Sequence, residues 1–90
     1  MTNARDEGTL IGVMDINGKE IANGDRIHVL HVMYPDTPRE AVEDAFNARV
    51  FYHSFMAAFL YMREGVAPED EDHNTHHFNS TSSKYEILKD

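Results

Sequence analysis

The chain predicts a mostly β (α+β) fold in a single domain, 1–90. Two observations predict it. Two apolar, partly β-branched segments flank a pair of Asn-Gly turns between residues 9 and 34, and a short apolar run closes the chain at 84–89. One segment near 38–47, with a helix-start signature, supplies the α part.

The first strand, Thr9-Leu10-Ile11-Gly12-Val13-Met14, stops at Asp15-Ile16-Asn17-Gly18. Asn17-Gly18 can supply the positive φ that a tight turn requires. A second pair, Asn23-Gly24, followed by Asp25, precedes another strand. There Ile27, Val29 and Met33 share one face with His31, while His28, Leu30, Val32 and Tyr34 share the other. Both faces are mainly apolar, so this strand is expected to be covered at least in part on both sides. Glu20 and Asp25 can accept hydrogen bonds from turn amides, and Asn17, Gly18, Asn23, Gly24 and Asp25 read as architecture.

Thr37 as N-cap, Pro38 at the first helical position and Glu40 three residues after Thr37 form a capping box. With Ala41, Val42, Ala45 and Phe46 on one face and Glu43 and Asp44 on the other, a short amphipathic helix is expected over about 38–47. The stretch 48–62 admits two readings. Val42, Phe46, Phe51, Phe55, Phe59 and Met62 can form one helical stripe capped by Gly65, or 49–52 and 57–62 can form a hairpin turning at His53-Ser54. Residues 66–83 are expected to be an exposed acidic and His-rich loop, with 84–89 returning as a strand.

Sixteen acidic against eight basic side chains give a formal charge of −8. Such a chain repels nucleic-acid phosphates, so direct DNA binding is not expected, and it favours a protein partner with a basic surface. No apolar run approaches the roughly 20 residues of a membrane span, and the polar first residues do not resemble a signal peptide. Without cysteine there is neither a disulfide nor a thiolate metal site, and the expected location is the cytoplasm.

His73, His76 and His77 beside Glu69, Asp70, Glu71 and Asp72 are ligand types for a divalent metal such as zinc or nickel, although a solvated loop accounts for the same composition. No cofactor is otherwise expected. His28 and His31 fall on opposite strand faces and cannot share one metal. No nucleophile elbow, P-loop or dinucleotide fingerprint is present, so catalytic residues are not assigned. The aromatic residues Phe51, Tyr52, Phe55, Phe59 and Tyr61 exceed the needs of a small core, and some, Phe55 and Tyr61 among them, are candidates for an interaction patch.

The run from Leu10 to Ile27 resembles the YopX family of small phage and prophage proteins. Gly12, Asp15, Asn17-Gly18-Lys19-Glu20-Ile21 and Gly24-Asp25 match the family's segment of the type "TGLKD-NGKEIYEGDIV". The resemblance implies a small SH3-like barrel with an aromatic hairpin over 49–62, a closing strand at 85–88 and the capped segment as an insertion. It also implies a small non-enzymatic accessory protein of phage or prophage type that works by protein contact. The acidic residues Glu40, Glu43, Asp44 and Glu69 to Asp72 would then meet a basic host or defence factor. The alternatives are a metal-binding protein or metal-dependent hydrolase using His73, His76 and His77, and a structural, homo-oligomeric phage component.

Overall fold

In the computed structural model, which describes residues 6–78 and 82–88, seven strands succeed one another. They are β1 (Leu10–Met14), β2 (Glu20–Ala22), β3 (Arg26–Met33), β4 (Ala41–His53), β5 (Ala58–Arg63), β6 (Thr75–His77) and β7 (Ser83–Ile87). β1 and β2 pair with each other, and the rest form a five-stranded sheet in the order β6-β5-β4-β3-β7. Every pairing is antiparallel.

Both Asn-Gly turns form. At the first, Gly18 takes φ +79° and donates its amide to the Asp15 carbonyl, which closes β1 onto β2. At the second, Gly24 takes φ +92°, and the Asp25 carboxylate accepts the Ala22 amide at 2.8 Å. The short strand β2 between them places Ile21 in the core, fully buried.

The core lies on one face of the large sheet. Ile27 and Val29 of β3, Phe46, Ala48 and Val50 of β4, Tyr61 of β5 and Tyr85 of β7 point there and meet Ile21, with Ile11, Val13, Ile87 and Phe78 packed against them. Alternation along each strand produces this face, because cross-strand partners such as Val29 and Phe46, or Val50 and Tyr61, point the same way.

The helix expected over 38–47 does not form. Its start signals are used locally: the Thr37 hydroxyl accepts the Arg39 amide, and Glu40 accepts the Asp36 amide at 3.0 Å. These contacts close a turn, after which Ala41–His53 is a strand of 13 residues paired with β3 and β5. Phe46, Ala48 and Val50 alternate with Ala45, Asn47 and Arg49, and burying that apolar row beside β3 outweighs a marginal ten-residue helix. The continuous helix through 48–62 falls with it; β4 and β5 form the hairpin instead, turning over 54–57.

Two further expectations are corrected. The sheets are open and no barrel closes: β6 and β7 stand at opposite edges of the large sheet. The outward groups of β7 are taken by the first turn, where Ile16 donates to the Tyr85 carbonyl at 2.8 Å and the Asp15 carboxylate accepts the Ile87 amide at 3.1 Å. The segment 66–83 is not wholly loop either. It carries two single-turn 3-10 helices, Pro68–Asp70 and Asp72–Asn74, then β6 and the start of β7, while 79–81 lie outside the described residues. Phe78 ties this segment to the core by packing on Tyr61 and Tyr85. The closing strand ends at Ile87, and Lys89 of the expected 84–89 lies outside the described residues. No helix among the described residues is long and apolar enough to cross a membrane.

Candidate functional site

The β3–β4 ladder is interrupted once. His31 pairs with Asp44 and Val32 with Val42, so Glu43 is an extra residue without an opposite number. Such a bulge bends the strand and re-aims the side chains beside it. Glu43 lines an open cleft of about 410 Å³ together with His31 of β3, Tyr61 of β5, Thr75, His76 and His77 of β6, and Ser82 and Ser83.

The walls are rings. His31 and His76 meet edge to face with centroids 5.5 Å apart, although β4 and β5 separate their strands in the ladder. The large sheet must therefore curl strongly around this face. Tyr61 lies 5.4 Å from His76, and its hydroxyl is 3.4 Å from His31 Nε2. The Tyr85 hydroxyl is buried beside Tyr61 and makes no well-formed hydrogen bond among the described residues. Burial, reinforced by the neighbouring Tyr85, holds the Tyr61 phenol well above its ordinary range, so it stays protonated. Burial also pushes His76 below the ordinary imidazole value, helped by His31 and Arg63 and opposed by Asp44, so His76 is neutral at pH 7.

Beside the cleft, Arg63 stacks over the Phe46 ring at 4.7 Å and meets Asp44 at 3.5 Å. The carboxylate of Glu43, one residue along, has no ion pair or hydrogen bond among the described residues.

The residues singled out from the sequence are thus redistributed. Glu43, Tyr61, His76 and His77 converge on one cleft, and Asp44 borders it through Arg63. Tyr61 is a core ring, 1% exposed, and not part of a surface patch. Glu40 is drawn away by Lys84 at 2.9 Å, and the Asp36 amide and then Lys84 lower its pKa. Phe55 is 94% exposed at the tip of the β4–β5 hairpin. Glu69, Asp70, Glu71 and Asp72 are exposed on the two 3-10 turns, and their carboxylates likewise make no ion pair or hydrogen bond among the described residues.

His73, His76 and His77 are not brought together. His76 and His77 alternate on β6, and His73 sits on the preceding turn. Among the described residues no three His, Asp or Glu side chains gather as a metal site. His31, which the sequence alone excludes from a metal site shared with His28 and gives no other role, belongs to the cleft. Its signal is the face it shares with Val29, which becomes informative only once β4 is known to be its partner.

Comparison with models of known families, with curated proteins and with solved structures yields no match.

Proposed function

We propose that the chain is a small, non-enzymatic binding module of phage or prophage type, as its resemblance to YopX proteins suggests, that works in the cytoplasm by gripping a basic protein surface. In the sharpest form of this reading, its carboxylates occupy positions that phosphates would fill on a nucleic-acid-binding host or defence factor.

One observation carries the reading. Among the described residues, the carboxylates of Glu43 and of Glu69 to Asp72 are exposed with no ion pair or hydrogen bond, whereas Asp15, Glu20, Asp25, Glu40, Asp44 and Glu64 are held by amides or cations. The two groups lie toward the same end of the large sheet. Thr75 pairs with Met62, so the 3-10 turns before it lie past the Arg63 end of β5, and Glu43 lies past the Ala48 that pairs with Arg63. Unpaired carboxylates gathered at one end raise the local negative potential and speed encounter with a basic partner.

Reversing all four charges, Glu69→Lys, Asp70→Lys, Glu71→Lys and Asp72→Lys, is expected to weaken capture of partner protein from host lysate by on the order of tenfold or more at low salt. Quantitative pull-down with the folded variant checks this, and unchanged capture overturns the reading.

A further inference from the structure

We propose that the cleft at the β4 bulge receives one cationic side chain, a lysine or an arginine presented by the partner. The assignment deepens the basic-surface reading and rests on it.

Charge selects the ligand class. Among the described residues lining the cleft, Glu43 is the only one with a permanent charge; the others contribute hydroxyls, imidazoles and one valine. The bulge is what brings it there, because Glu43 is the unpaired extra residue opposite His31 and Val32.

The imidazoles supply the second attraction. His31 and His76 stand 5.5 Å apart edge to face and form a corner on the cleft wall, with the buried Tyr61 ring behind it. The neutral His76 offers a cation its ring face and an unprotonated nitrogen.

The protein already holds a guanidinium by this combination next door. Arg63 lies over the Phe46 ring at 4.7 Å and against the carboxylate of Asp44 at 3.5 Å. Glu43 with His31 and His76 sets the same kinds of group, a carboxylate and rings, around one cleft, and no Lys or Arg is among the described residues that line it. Arg63 opposes a second positive charge nearby, and its pairing with Asp44 offsets much of that opposition. The cleft, about 410 Å³ and open to solvent, has room for a long side chain.

The groups facing His76 are His31 from β3, Asp44 and Phe46 from β4, and Tyr61 and Arg63 from β5. Protonating His76 places a cation where the ligand must sit. Binding should therefore weaken as pH falls through the His76 transition, which lies below the ordinary imidazole value.

The test is an NMR titration of the whole chain with acetyl-Gly-Arg-Gly-amide and its lysine counterpart, against the neutral citrulline and norleucine peptides. The His31, Tyr61 and His76 ring signals should shift with the charged peptides alone. Glu43→Gln, which alters only an exposed side chain, should weaken that binding about fivefold. Equal shifts with the neutral peptides, or undiminished binding to Glu43→Gln, overturn the cleft assignment. If Glu43→Gln binds normally while reversal of 69–72 abolishes capture, the cleft is wrong and the acidic-surface reading survives. If the charged peptides seat in the cleft and need Glu43 while lysate capture ignores charge, the cation site stands and the broader reading falls.

Discussion

Asp15 in the β1–β2 turn and Glu43 in the β4 bulge are both acids at irregular points of a sheet, and they are treated in opposite ways. Asp15 is 7% exposed and accepts the amides of Asn17 and Lys19 at 2.9 Å and of Ile87 at 3.1 Å. Burial opposes its ionisation, yet the amides of Lys19, Ile87 and Asn17 prevail and hold its pKa below the ordinary carboxylate value. Glu43 is exposed and accepts nothing among the described residues. A carboxylate whose lone pairs are filled by backbone joins elements, here the small sheet to β7. An unfilled one retains its capacity for a ligand. The acids of the stretch from Leu10 to Ile27 are thus engaged in holding turns and strands together, and Glu43, which is not so engaged, lies outside it.

The strongest way to break that contrast is Ile21→Ala. Ile21 belongs to the motif region, is fully buried and packs in the core cluster. Truncation should cost about 2–5 kcal/mol by lost transfer energy and cavity formation. In a domain of this size that lowers Tm by about 10–30 °C, measurable by thermal denaturation followed by circular dichroism. Below the transition, the ring shifts caused by the arginine peptide should persist, because Ile21 does not line the cleft.

Asp15→Asn should be the next largest effect, and it carries a pH signature. The folded-state pKa of Asp15 lies below its unfolded value, so its contribution is fully present above about pH 4 and is lost as pH falls through the lower, folded value. Stability curves for the wild type and the variant should be well separated at pH 7 and converge in acid. Parallel curves down to pH 2 would show that the carboxylate charge does not hold the turn.

Legibility divides along the same line. Asn17-Gly18 and Asn23-Gly24 are readable because turn chemistry is local: positive φ and a side-chain acceptor within four residues suffice. The capping box at Thr37 and Glu40 is equally local, and its hydrogen bonds do form. The strand beyond that turn depends instead on a non-local ladder, with Val29 against Phe46 and Val50 against Tyr61. The alternation from Asp44 to Val50 is present in the chain but masked by the helical spacing of Ala41, Val42, Ala45 and Phe46. The cleft is harder still. His31, Glu43, Tyr61 and His76 come from four strands, and only the bulge and the curl of the sheet bring them together. Neither leaves a signature within a short window of sequence.

The smallest expected effect is the one that most sharpens the comparison. Glu43→Gln keeps the shape of the side chain and removes a charge that no amide or cation answers among the described residues, so urea unfolding should move by less than about 0.5 kcal/mol. The sign should be slightly stabilising, because the chain carries a net charge of −8 and Asp44 is adjacent. Asp15→Asn, an equally conservative change, removes a charge that three amides do answer. If both variants destabilise alike, occupancy of the carboxylate does not separate scaffold from site, and Glu43 must be holding the bulge. If only Asp15→Asn destabilises while only Glu43→Gln loses the charged peptides, the two acids divide stability and binding between them.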